Sequence, residues 1–225
     1  MENSQKSVKY KTLELIKNSK AIIWDFDGVI KDSVELKGET FRKLFEDQKI
    51  DIKNKIYKHH NANGGLSRFK KLQKYLDWSS YENTITNLNL FAKKFSDLIV
   101  KEVINANYIE GVENYLRRNH SRQKFFLVTA TPEEEILKIT KKLEIFDYFK
   151  TIIGYPRTKE EGFNLILNES GIENTDFIVI GDSLSEYNAA KKYSLKFVLR
   201  IDKSKRKIPE WYIERDLTID NLISE

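Results

Sequence analysis

The stretch AIIWDFDGVI, residues 21–30, sets an apolar run directly against two carboxylates, Asp25 and Asp27, with Gly28 behind them. A short run that is apolar at almost every position fits a strand covered on both faces, as in a parallel sheet. In open α/β sheets the ligand crevice lies beyond the carboxyl ends of the strands, so two acids placed there face substrate rather than core. Side chains two apart on a strand share a face, and Gly28 permits a tight turn that lets the pair diverge around a common centre. Carboxylates that close repel and raise one another's pKa unless a cation neutralises them. The chain has no cysteine and only three histidines (His59, His60 and His120), so the oxygen-rich donor set favours magnesium over zinc. Taken alone, Asp-x-Asp-Gly reads more readily as a turn with a helix N-cap behind it.

The rest of the chain supplies the context. Further apolar strands are expected at KFFLVTA (124–130), FIVIGD (177–182) and KFVLRI (196–201), with a weaker one at TIIG (151–154). Helical stretches fall at 8–18, 132–143, 159–169 and 184–193, and alternation of this kind implies a doubly wound, Rossmann-like α/β sheet. From Val34 to about Asn107 the strand signal disappears, and helices are expected near 34–48, 52–60, 67–77 and 81–105. The expected organisation is an α/β core from 1–33 and 106–225, with a helical cap domain at 34–105 inserted after the first strand.

The other strand ends carry chemistry as well. LVTAT (127–131) puts Thr129 and Ala130 just ahead of a helix start, where a hydroxyl and free backbone N–H groups suit a phosphate. IVIGDSLSE (178–186) adds Asp182 and Glu186 to the same edge, and four acidic groups converging there require a cation. Lys159, at the start of the preceding helix, can offer a positive charge to a phosphate oxygen. Singly, Thr129 is an ordinary cap, Lys159 one surface lysine among many, and Asp182 a turn former; it is their common position at strand ends that carries weight.

Composition narrows the classes. Of 225 residues, 40% are hydrophobic and 32% charged, the proportions of a globular protein, and no run approaches the roughly 20 apolar residues of a membrane span. The N-terminal stretch lacks the apolar segment of a secretory signal, which points to a cytoplasmic protein with no membrane role. Without cysteine, disulfides and thiolate catalysis are excluded. The net charge of +5 is mostly interleaved along helices; one basic cluster, KSKRK (203–207), reads as a solvated loop rather than a nucleic-acid site, since no aromatic or Gly-rich RNA-binding pattern accompanies it.

The ordered set DFDGVIKDS, LVTAT, Lys159 and GDSLSE resembles the four motifs of the haloacid dehalogenase (HAD) superfamily of phosphohydrolases, and the helical insertion is similar to the cap of the branch containing phosphoglycolate phosphatase and β-phosphoglucomutase. The resemblance implies that Asp25 attacks phosphorus to form an aspartyl-phosphate, and that Asp27 serves as acid and then base. It implies magnesium held by the Asp25 carboxylate, the Asp27 main-chain carbonyl and Asp182, with Glu186 reaching the metal directly or through water. Thr129, Lys159 and backbone N–H groups at Gly28 and Ala130 would stabilise the transferring phosphoryl group. The chain departs from the family pattern in having Glu186 where Asp is more common, in Ala130 where Asn or Ser is common, and in the context after Lys159. Dehalogenase chemistry is disfavoured by Asp27.

Substrate choice is expected in the cap, where HHNANGGLSRFKK (59–71) offers Asn63, Gly65 and Arg68 to a sugar or polyol phosphate, with Lys71 just inside the next helix. The partner is thus a small-molecule phosphate ester; the oligomeric state is not readable. A sugar phosphomutase remains the alternative reading, and a phospho-receiver signalling module, which shares an acidic pocket with Thr and Lys, is the alternative of another class.

Overall fold

The computed structural model describes residues 2–202, 208–213 and 217–223; the basic run at 203–207 lies outside the described residues. Six strands, β1 (Ala21–Trp24), β2 (Lys124–Pro132), β3 (Phe149–Tyr155), β4 (Phe177–Gly181), β5 (Lys196–Arg200) and β6 (Thr218–Ile219), form one sheet in the order β3-β2-β1-β4-β5-β6. Every pairing is parallel. Helix α1 (Glu2–Asn18) precedes β1, and the segment 34–105 that follows β1 forms four helices: α2 (Val34–Leu44), α3 (Ile50–Ala62), α4 (Arg68–Trp78) and α5 (Ile85–Asn105). The remaining helices are α6 (Val112–Asn119), α7 (Glu133–Lys142), α8 (Lys159–Ser170) and α9 (Leu184–Lys192).

The period of two in β1 explains its continuous apolar run. Ile22 and Trp24 join a layer with Leu13 and Ile16 of α1, while Ala21 and Ile23 join the opposite layer with Phe163 of α8 and Tyr187 of α9. Burial of each large side chain contributes about 1.5–3 kcal/mol, set against the chain entropy lost on folding. The first layer continues into the inserted helices through Phe41, Phe45, Tyr75, Phe91 and Phe95, with the Phe41 and Phe95 ring centres 4.2 Å apart. The insertion leaves and re-enters the sheet side by side: Asp32 N donates to Asn107 O at 2.9 Å, and Lys31 bridges to Tyr108.

Several elements differ from the sequence expectation. Strand β2 continues to Pro132, with a register irregularity against β3 between Val128 and Pro132, so Pro132 caps α7 rather than opening it. The last helix of the insertion begins at Ile85, capped by the Thr84 side chain on Asn87 N. Helix α6 and the two-residue β6 were not anticipated; α6 is only eight residues long and β6 has too short a run to show a period.

Candidate active site

Strand β1 sits in the middle of the sheet, and the order of the strands reverses beside it, which is where an α/β sheet opens a crevice. Asp25 follows directly, anchored by its N–H to Ile180 O of β4 at 3.0 Å. Lys159 approaches from the first turn of α8, whose start is fixed by a capping box between Thr158 and Glu161. Its buried ammonium donates to Asp25 Oδ1 and to Val128 O, the latter at 2.5 Å, and pairs with Glu186 Oε1 at 2.7 Å. One cation thus ties together the ends of β1 and β2 and the first turn of α9.

Asp182 follows β4 and presses against the turn after Asp25. Gly28 has φ +79°, and a Cβ there would lie 2.3 Å from Asp182 Oδ2, so both the backbone conformation and the close approach require glycine. The Gly28 N–H donates to Lys31 O at 2.8 Å and therefore shapes the turn instead of meeting a phosphate as expected.

Asp27 turns the other way. It accepts from Ser33 Oγ at 2.6 Å, from Thr131 Oγ1 at 3.1 Å and from Lys37 Nζ, which also donates to Thr131 at 2.8 Å. Glu186, 1% exposed, accepts from Ser183 Oγ as well as Lys159. The four carboxylates thus divide between two surroundings. The side chains of Asp27 and Glu186 are each neutralised by a lysine, and among the described residues no three acidic or histidine side chains gather as a metal cluster.

The electrostatics separate the same two pairs. Burial pushes the Asp25 carboxyl up to about 7, opposed by Lys159 and reinforced by the charges of Glu186 and Asp27. Burial also raises Asp182 well above the usual carboxylate range, with Asp25 and Glu186 adding to it. Burial acts on Asp27 in the same direction, but the charge and hydrogen bond of Lys37, with Ser33 and Thr131, outweigh it and leave the carboxyl below its ordinary value. Glu186 is likewise held low, since Lys159 overcomes its burial. Asp25 and Asp182, all-oxygen and mutually repelling, are the pair that fits a hard cation, and magnesium commonly takes one or two carboxylates while keeping water.

These groups line a crevice of about 580 Å³, partly open to solvent, together with Thr129, Ala130, Gly65, Arg68, Lys71 and His60. Thr129 is 2% exposed, and its Oγ1 accepts from Thr131 N at 3.2 Å. Gly65 packs so tightly on the loop after β4 that a Cβ would meet Ser185 Oγ at 1.9 Å. Arg68 does not offer its charge freely as expected: its two terminal nitrogens clasp Glu135 of α7 at 2.6 Å each, and it donates to Ser96. Asn63 is corrected too, because its amide donates to His59 O and it lines a neighbouring crevice, not the one holding Asp25.

Lys37, Ser33, Thr131 and Glu135 were missed in the sequence. Ser33 and Lys37 carried a signal, since the helix start just after DFDGVIKDS places them one turn apart beside the end of β1. Glu135 carried none: its partner lies 67 residues away.

A family model described as haloacid dehalogenase-like hydrolase matches residues 22–199. A phosphorylated carbohydrates phosphatase from Thermotoga maritima is 23% identical over 182 residues, covering 78% of this chain and 82% of that protein. Among solved structures, β-phosphoglucomutase from Clostridium difficile superposes with a TM-score of 0.70 at 22% identity, covering 91% of this chain and 92% of that one. The magnesium-bound HAD-hydrolase YfnB from Bacillus subtilis gives 0.68 at 18% identity, covering 91% and 96%. At these identities the structural likeness bears on fold.

Proposed function

The chain belongs to the haloacid dehalogenase-like hydrolase family, and on that premise we propose that it is a magnesium-dependent phosphatase of a small phosphorylated carbohydrate or polyol. The observation that carries this reading is the convergence of Asp25, Asp182 and Lys159 at the ends of β1 and β4 and the start of α8. Asp25 attacks phosphorus in line: its Oδ–P bond forms as the bond to the leaving alcohol breaks, giving an aspartyl-phosphate. Asp27, held by Ser33 and Thr131, passes a proton to the departing oxygen and takes one from the water that then cleaves the acyl phosphate. Lys159 and the Thr129–Ala130 segment face the transferring group and offset its charge. The Asp25 and Asp182 carboxylates and the Asp27 carbonyl would hold magnesium, which would supply charge neutralisation for the phosphoryl oxygens.

The helices at 34–105 act in this reading as a separate cap that closes over the crevice, with Gly64 and Gly65 seated on the Ser183–Ser185 loop. The phosphatase name of the Thermotoga relative supports hydrolysis over return of the phosphoryl group to a sugar; turnover that depends on an added bisphosphate would favour a mutase instead. The test is a panel of phosphate esters assayed with magnesium and after chelation, alongside Asp25→Asn. The variant keeps the circular dichroism of the parent and loses kcat by on the order of 10⁴-fold. Turnover that persists in Asp25→Asn rejects the nucleophile.

A further inference from the structure

Four cationic side chains face the crevice or brace its wall, and three of them are matched by acids: Lys159 by Asp25 and Glu186, Lys37 by Asp27, and Arg68 by Glu135. Lys71 is the exception. It projects from the first turn of α4, is 2% exposed and lines the crevice, yet no carboxylate among the described residues forms an ion pair with it. Its one hydrogen-bond partner is His60 Nδ1 at 3.1 Å. The His60 Nε2 lies 3.1 Å from Val34 O, a contact that requires Nε2–H as donor, and the Lys71 ammonium, which can only donate, makes Nδ1 the acceptor and so the imidazole neutral.

Burial pushes His60 well below its usual value, and the nearby ammonium of Lys71 adds to this, so His60 brings no charge to the site. Lys71 itself is pushed down to about 7 by burial and by Lys37, with only the longer-range fields of Asp27 and Asp182 opposing. The Phe41 ring, whose centre lies 6.0 Å from Nζ, completes an apolar surround. A buried ammonium with N–H bonds to spare and no counter-ion is destabilising unless something anionic arrives to meet it.

We propose that Lys71 is a specificity-determining residue that receives a second anionic group, a carboxylate or a further phosphate, carried by the alcohol that leaves. This rests on the phosphatase reading and narrows its substrate class. The phosphoryl group engages the strand ends, and the second anion lies on the α4 side, where Arg68 is already spent on Glu135 and, among the described residues lining the crevice there, Lys71 is the cation left without an acid. Esters whose alcohol is neutral leave that amine unpaired in a dry wall, and a site holding an unpaired polar group discriminates strongly against the analogue that lacks its partner.

The test compares three esters on a three-carbon skeleton: glycerol 3-phosphate, 3-phosphoglycerate and glycerol 1,3-bisphosphate. The wild type is expected to prefer at least one of the two doubly anionic esters over glycerol 3-phosphate by tenfold or more in kcat/KM, mainly through KM. Whichever is preferred identifies the second anion. In Lys71→Met and Lys71→Gln the ratio falls to near one. Equal kcat/KM for all three in the wild type, or a ratio that survives both replacements, overturns the assignment of Lys71 and leaves the phosphatase reading standing. No turnover of any phosphate ester by the wild type overturns that reading first, and the inference with it.

Discussion

The sheet edge and the inserted helices build opposite walls of one crevice and carry opposite charge. The sheet side contributes Asp25, Asp27, Glu135, Asp182 and Glu186 against a single buried cation, Lys159, whereas the helical side brings Lys37, Arg68 and Lys71 to the same space. Two ion pairs among the described residues cross between the walls, Lys37 to Asp27 and Arg68 to Glu135. The difference separates two tasks. In the proposed reading an acid-rich wall would concentrate a cation and the phosphoryl group it neutralises, while the base-rich wall pairs with the sheet side and would meet what remains of the substrate.

The largest expected effect breaks the acid wall. Asp182→Asn removes the one site carboxylate that, among the described residues, forms no ion pair with a lysine, and turnover at fixed magnesium falls by about 10³-fold, the several kcal/mol that a bound cation lends a transition state. Titration with magnesium shows whether the loss is one of affinity; activity unaffected at low magnesium would remove Asp182 from the site.

Next comes the buried contact between the walls. Glu135→Gln leaves the Arg68 charge unmatched, and the protein loses about 3 kcal/mol at pH 7, read by chemical denaturation. Burial alone would raise the Glu135 carboxyl, but the hydrogen bond and charge of Arg68, with Ser96, hold it below 4.5. A depressed native pKa gives stability that is present above the unfolded value and lost as pH falls through the native one, so the gap between parent and variant closes in acid. A gap that stays constant down to pH 3 contradicts the pairing.

The smallest effect sharpens the comparison. Lys37→Met frees Asp27 from its ammonium, burial then dominates, and the carboxyl rises. Because Asp27 must be protonated to act as the acid in the first step of the proposed reaction, the alkaline limb of kcat/KM moves to higher pH. Lys37→Arg keeps the charge and holds the limb near its original place; an unmoved limb in the methionine variant detaches Lys37 from Asp27.

Legibility in the sequence followed the same division. The apolar strands and their order with helices could be read because a buried parallel strand is a local signal: Ala21–Trp24 is buried at every position. Asp25, Thr129, Lys159 and Asp182 could be located because each is tied to the end of a strand or the start of a helix, and local reading places them on one edge. What the side chains touch could not be read. Arg68 looked free in GGLSRFKK, and only the three-dimensional structure shows it reaching from α4 to clasp Glu135 of α7. Asn63, two residues before Gly65, differs in outcome because its amide folds back onto its own helix end.

The narrow neck of the insertion has a consequence for variation. Since the chain leaves the sheet at Asp32 and returns at Asn107 with those two residues already hydrogen-bonded, whatever lies between is a closed loop whose length barely alters the entropy of joining its ends. New turns, longer helices or a different cation can accumulate there without shifting the register of β1. Diversification of diet is thereby uncoupled from preservation of the chemistry.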